Sequence, residues 1–343
     1  MPRRLFTVLT ALVVLTLAGT GRPAAAQSSF YEGKTIRIIV GLAPGGGFDT
    51  YARVIARHMG KHIPGNPTLV VENMPGAGSL IAANHIYKVA KPDGLTVAKF
   101  NGPLMMGQVL GQPGIEFDAR KFEFIGAAVT EDVACSLTKA SGITTVEKWM
   151  ASPTPVKLGS IAPGTSPENT ARILKATLGL PIQLVSGYKG TAEIRLAADG
   201  GEVAGACWSW ESMRATWRNA LEAGDVIPVL QVTARPFPDL PKVPLAIDLA
   251  KTDEARRLIV VGVQNAASFA RPFVLPPGTP KERVQVLRKA FQDTLKDSAF
   301  LGEAEKAKLT IGPVTGDELE RMVADLFTLD PGLVAKLKAI LQN

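Results

Sequence analysis

Histidine and cysteine are scarce in this chain of 343 residues, which holds three of the first and two of the second. So few leave little for zinc or thiol chemistry, and no Cys-x-x-Cys pair occurs. His58, His62 and His85 fall on helical stretches or their ends and none follows a strand, so a hydrolytic triad has no base. His58 and His62 stand four apart as two metal ligands would, but no third ligand stands near, and solvated surface histidines are the simpler reading. Gly-x-Ser-x-Gly is missing too, because Gly159-Ser160 runs on into Ile161-Ala162-Pro163.

Long apolar runs are absent except for Leu5 to Ala18, about 14 residues and short of the roughly 20 that cross a bilayer. The basic head at Arg3-Arg4 and the small residues Ala24-Ala25-Ala26 make residues 1–26 a cleaved export signal, cut after Ala26. No cysteine lies near that cut, so no lipid anchor is indicated and the mature chain is expected in the periplasm. Losing Arg3, Arg4 and Arg22 lowers the formal charge from +7 to +4. The remaining bases alternate with acids along the helices, which argues against nucleic acid as a partner. About 317 mature residues exceed one core and imply two domains. The 46% apolar content excludes a disordered chain. In an oxidising compartment Cys135 and Cys207 either form one disulfide or stay as two separate buried thiols.

Short β-branched runs alternate with amphipathic stretches from Thr35 onward, which predicts an α/β fold on a largely parallel sheet. The most informative stretch is Thr35 to Thr50, where a buried strand (36–40) leads through Gly45-Gly46-Gly47 into a helix from Asp49 to Met59. Three glycine amides can turn toward one point there, and the helix start adds its free N–H groups and positive dipole end, a cradle for an anion. Similar turns follow the strand 68–71 at Glu72 to Gly78, the strand 95–100 at Asn101-Gly102-Pro103, the strand 156–160 at Ile161 to Pro167, and the strand 182–184 at Ser186 to Gly190. Because each turn follows a strand, they gather at the carboxyl edge of a sheet and converge on one ligand. The last third is helical, with capping boxes at Thr279-Pro280-Lys281-Glu282 and Thr315-Gly316-Asp317-Glu318 and a start at Asp330-Pro331. Val284, Leu287, Phe291 and Leu295 share one face, as do Leu319, Met322, Val323 and Leu326, so both helices are packing elements.

Other chemistries fit poorly. The Rossmann fingerprint fails because Thr50 stands where its third glycine belongs, and no Gly-Lys-[Ser/Thr] follows the first turn. Trp208 and Trp210 flank Ser209 at the end of the strand 203–208, so at period two both rings point to one face, as a core cluster or as the wall of a ligand cleft. Glu211 beyond them is either a surface charge or a group that meets a charged ligand end.

The turns also carry a family resemblance. Pro44-Gly45-Gly46-Gly47-Phe48-Asp49 with Ala52-Arg53, then Glu72-Asn73-Met74-Pro75-Gly76-Ala77-Gly78, resembles the periplasmic substrate-binding proteins of tripartite tricarboxylate transporters, the Bug/TctC family. Pro92-Asp93-Gly94, Gly159-Ser160 with Gly164-Thr165-Ser166, Tyr188-Lys189-Gly190 and Pro276 to Pro280 continue the likeness over nearly all of the mature chain.

That resemblance implies a two-domain periplasmic binding protein of type II-like architecture with its ligand cleft between the domains. Residues 30–131 plus 236–343 would form one domain and 132–235 the other. It implies capture of a small organic carboxylate for membrane permease subunits, by a monomer, with no catalysis and no cofactor or metal. The matching ligand positions are Gly46, Gly47, Phe48 and Asp49 in the first turn and Gly76, Ala77, Gly78 and Asn101 beside it. Ser160, Gly164, Thr165, Ser166, Tyr188, Trp208 and Ser209 complete the set from the other domain. Leu42 and Phe48 stand where most members carry an aromatic and a small hydroxyl residue, which favours an aromatic or longer-chain monocarboxylate over a tricarboxylate. A receptor that serves a membrane sensor kinase is the alternative, and a periplasmic hydrolase of anionic substrates a weaker one.

Overall fold

The computed structural model describes residues 30–342, so the export-signal segment lies outside the described residues. Two mixed sheets organise the chain. The first has β1 (Thr35–Val40), β2 (Thr68–Asn73), β3 (Thr96–Lys99), β4 (Glu123–Ala127), β10 (Phe273–Leu275) and β11 (Val314–Thr315), in the order β11-β4-β10-β3-β1-β2. The second has β5 (Val133–Thr138), β6 (Val156–Gly159), β7 (Ile182–Val185), β8 (Gly205–Ser209) and β9 (Val226–Val232), in the order β7-β6-β8-β5-β9.

The expectation of a largely parallel sheet holds only for β2-β1-β3 and β7-β6-β8. β10 runs antiparallel to β3 and β4, and β5 antiparallel to β8 and β9. The cause is the route of the chain. It leaves the first sheet after β4, enters the second as β5, and returns only at β10, so neither entry is a βαβ crossover and neither is bound to the parallel direction.

The helices that matter are α1 (Gly47–Met59), α2 (Leu80–Lys88), α3 (Pro103–Val109), α4 (Ser166–Leu178), α5 (Thr191–Asp199), α6 (Trp210–Thr216), α7 (Asp253–Ile259), α8 (Lys281–Thr294), α9 (Ser298–Lys306), α10 (Gly316–Leu326) and α11 (Pro331–Gln342). The inward face expected of α1, Ala52, Val54, Ile55 and Met59, is buried, and Tyr51 joins it. Each large apolar side chain so buried contributes about 1.5–3 kcal/mol relative to exposure. On α8 Val284, Leu287 and Phe291 are buried as the spacing predicts, and on α10 so are Leu319, Val323 and Leu326. α7 and α11 both pack on α4.

The capping box at Thr315 forms, with Glu318 N–H donating to Thr315 Oγ1 at 3.2 Å and Thr315 N–H to Glu318 Oε2 at 2.8 Å. The one expected at Thr279 does not. α8 begins at Lys281, one residue later than a Thr279 cap requires, and the Thr279 hydroxyl donates instead to the Pro276 carbonyl at 2.8 Å. Cys135 and Cys207 face each other across β5 and β8 and form a disulfide. Among the described residues no helix is long and apolar enough to cross a membrane.

Candidate ligand site

The first glycine turn owes its shape to Asp49. Gly45 takes a positive φ of 80°, which glycine adopts at little cost, and its N–H donates to Asp49 Oδ2 at 3.0 Å. Arg53 and Asn73 also donate to that carboxylate, and Asn73 Nδ2 reaches the Leu42 carbonyl, so the turn is pinned to the end of β2. Burial alone would push Asp49 up, but the bonds from Arg53, Gly45 and Asn73 outweigh it and hold the carboxyl below its ordinary range. Gly45 is thereby removed from the three amides expected to meet an anion. Gly46 and Gly47 remain.

Around them the start of α1 meets the starts of α4 and α5. Gly46 and Gly47 from α1, Ser166 from α4, and Gly190 and Thr191 from α5 all line one cavity of about 20 Å³, room for about one water. None of these three helices has a side-chain cap at its N-terminus. Some helices elsewhere are capped by their own residues, α7 by Thr252, α9 by Asp297 and α10 by Thr315, while α2, α3 and α8 also start uncapped but away from this cavity. Uncapped first-turn amides and three positive dipole ends thus converge on one enclosed point, an arrangement suited to an anion.

Two charged side chains that sequence reasoning missed, Arg271 and Glu131, line the cavity, and Lys99 and Glu211 are buried near them. Arg271 is 2% exposed and sits at the centre of the cavity. Its Nε–H donates to Glu131 Oε1 at 3.1 Å, and Nη2 donates to the hydroxyls of Ser209 and Ser212, both at 2.6 Å. The Ser166 hydroxyl donates to the other Glu131 oxygen at 2.7 Å. The guanidinium lies over Phe48 and Tyr51, with ring centroids 5.0 and 5.3 Å away. Lys99 is equally buried, with Nζ over Phe48 at 4.8 Å and Phe273 at 4.6 Å. Burial, then Arg271, push Lys99 well below its ordinary value. Glu211, far from being a surface charge, is 3% exposed and accepts from the Ser209 hydroxyl at 2.9 Å. Burial lifts it to about 7, Arg271 opposes the rise, and Asp132 adds to it.

Of the residues expected at the ligand, Gly46, Gly47, Phe48, Asn101, Ser166, Trp208 and Ser209 line this cavity. Asp49 stands behind the turn as its brace. Ser160 donates to Glu168, and the Thr165 hydroxyl to the Ala162 carbonyl, so both hold the loop after β6 in shape. Gly164 offers its carbonyl to Asn101 Nδ2 at 2.8 Å, linking that loop to the end of β3. Gly76, Ala77 and Gly78 lie outside the lining, and Gly78 faces Thr165 so closely that a Cβ there would stand 2.4 Å from Cγ2. Tyr188 is turned away and donates to Glu202 at 2.8 Å. Besides Arg271, Glu131 and Ser212, the lining adds Leu42, Ala43, Ile161, Pro167, Gly190 and Thr191.

The two tryptophans do not share a face. β8 ends at Ser209 and α6 begins at Trp210, so period two stops between them. Trp208 stacks on Trp217 with centroids 5.4 Å apart and lines the cavity. Trp210 packs near Phe237 and donates to Asp239. His58 and His62 are not free in solvent either: His58 bonds Glu303 at 2.7 Å and His62 lies 3.5 Å from Asp297, tying α1 to α9. No histidine lines the cavity, and no group of metal-ligating residues occurs among the described residues.

Two mixed sheets that both send helix starts to one enclosed cavity define the fold of periplasmic solute-binding proteins. BugD, a periplasmic binding protein, superposes on this chain with a TM-score of 0.74 at 21% identity, covering 91% of this chain and 99% of BugD. Rpa4515 from R. palustris, solved with adipate, superposes with a TM-score of 0.72 at 23% identity, covering 90% and 98%. In sequence, the UPF0065 protein in the gbd 5′ region of Cupriavidus necator is 25% identical over 98% of each chain. The chain belongs to the tripartite tricarboxylate transporter family receptors, whose family profile matches residues 51–338.

Proposed function

We propose that this protein is a periplasmic receptor that captures a small organic carboxylate and presents it, as a monomer, to the membrane permease subunits of a tripartite tricarboxylate transporter. The observation that carries the reading is the convergence of three uncapped helix starts, α1, α4 and α5, on one closed cavity. A ligand anion supplies the acceptors that side-chain caps supply elsewhere in the chain. The adipate in Rpa4515 supports a carboxylate. A cavity of about 20 Å³ lined by Phe48 and Leu42 favours a monocarboxylate and requires the lobes to part before any ligand larger than water enters. The lobes are residues 30–131 plus 236–343 and residues 132–235, which agrees with the membership of the two sheets. The segment 246–268 and α11, which pack toward α4, lie along the second lobe. The chain steps between lobes at 128–132 and 233–272, where the hinge is placed. On this reading the protein does no chemistry of its own, in line with Ser160 and Ser209 being bonded to the carboxylates of Glu168 and Glu211.

A thermal-shift screen of the chain from Gln27 onward, against mono-, di- and tricarboxylates, amino acids, aromatic acids and phosphates, tests this. A carboxylate at 100 times its dissociation constant adds roughly 2.7 kcal/mol and raises Tm by a few degrees. No shift from any carboxylate, with none released by denaturing extraction and mass spectrometry, overturns the reading.

A further inference from the structure

We infer that Arg271 is the charge partner of the ligand, and that this site therefore selects an ionised carboxylate over the carboxamide of the same shape. The inference rests on the carboxylate-receptor reading and carries it from backbone amides to one side chain. Arg271 lines the cavity at 2% exposure, and while Nε and Nη2 are bonded, Nη1 has no hydrogen-bond partner. A second lining residue, Trp208, holds its Nε1–H buried and equally unpartnered. Buried polar groups in folded proteins are nearly always bonded, so two orphaned donors at one cavity point to an acceptor that arrives from outside. The bonds to Glu131, Ser209 and Ser212 hold the guanidinium fork in one orientation.

Charge supplies the selectivity. Glu131 balances Arg271, and around that neutral pair stand the positive ends of three helices. An added carboxylate, which has only acceptors, meets donors at Nη1, at Trp208 Nε1 and at the amides of Gly46 and Gly47. A carboxamide brings an NH₂ group into the same ring of donors and leaves at least one pair facing each other unbonded. A site of this kind discriminates by about 100-fold or more.

The test is calorimetry on the chain from Gln27 with butyrate, adipate and benzoate and the amide of each. The wild type is expected to favour the acid by about 100-fold or more. Arg271→Met should lose that factor for the acid and bring acid and amide to within about tenfold of each other. The double variant Glu131→Gln/Arg271→Met, which removes the Glu131 charge together with its partner, should behave the same way. Trp208→Phe should weaken the acid by about tenfold or more, the loss of one hydrogen bond to a charged acceptor. A folded Arg271 variant that keeps acid affinity within about threefold of wild type, or a wild type that holds the amide as tightly as the acid, overturns the inference. If neither Arg271 variant folds, a crystal structure of wild type with its tightest acid decides: a carboxylate oxygen within about 3.2 Å of Nη1 supports it, and one beyond about 5 Å refutes it. A wild type that binds no acid at all sinks the receptor reading itself, a different result from acid binding indifferent to Arg271.

Discussion

Gly47→Ala separates the closed form of this protein from its fold. A Cβ placed on Gly47 would stand 1.8 Å from Ser212 Oγ, 2.7 Å from Ser212 Cβ and 3.4 Å from Ser212 Cα. Rotating the serine hydroxyl removes the first contact and leaves the second, because Cβ positions follow the backbone. Carbon atoms settle at about 3.5–4.0 Å, so α1 and α6 must part by about 1 Å. Overpacking of this size costs about 1–3 kcal/mol, which lowers affinity for a ligand held in the closed form by roughly 5- to 150-fold. Gly47 is the first residue of α1, where alanine is the better helix former, so the unliganded fold should lose nothing. Calorimetry with the best carboxylate from the screen, beside the Tm of the unliganded protein, reads the two effects separately. Ser212→Gly in the Gly47→Ala background leaves Cα at 3.4 Å as the nearest atom and should restore affinity to that of Ser212→Gly alone. Affinity of Gly47→Ala within about threefold of the parent would refute the reasoning, since α1 and α6 would then not need to meet when the ligand is held.

Three further outcomes follow from groups around the cleft. The native state holds the Glu211 proton up to about pH 7 while the unfolded chain releases it near 4.5, so this group's contribution falls as pH rises through that window, by roughly 3 kcal/mol. Urea unfolding of wild type and Glu211→Gln at pH 5 and pH 8 should show the variant gaining on wild type by about that amount at the higher pH. Asp49 is the opposite case, with its carboxyl held below the ordinary carboxylate value of 3.8, so its stabilisation is present above that value and lost as pH falls through the lower one. Asp49→Asn should cost about 1–2 kcal/mol at pH 7 and approach wild type once the native carboxyl is protonated in strong acid, measured the same way. Cys135→Ala/Cys207→Ala removes a cross-link over 72 residues, for which chain entropy gives about 4 kcal/mol, read from urea unfolding with the slope fitted separately because the uncrosslinked unfolded chain is more expanded.

What could be read from the sequence and what could not divide along a physical line. Gly45 to Gly47, the helix they open and the cap at Thr315 depend on residues within a few positions of one another, and these features stand where local chemistry puts them. The failures are of two kinds, local alternatives that spacing permits but does not choose, and places where a distant partner decides. Thr279 lost its cap when α8 began one residue late, and Trp210 left the face of Trp208 because β8 gave way to α6 at Ser209. Gly45 lost its free amide to Asp49, four residues on, a contact that local spacing allows but does not demand. Arg271 is the extreme instance: it is a single basic residue before a proline, and its partners are 59, 62 and 140 positions away. No period or motif marks such a residue, since its role is created only when Glu131, Ser209 and Ser212 are brought beside it by the assembly of the two sheets. Backbone anion sites are therefore legible from glycine and helix-start signals, whereas the charge that would set specificity inside them is a property of the assembled cleft.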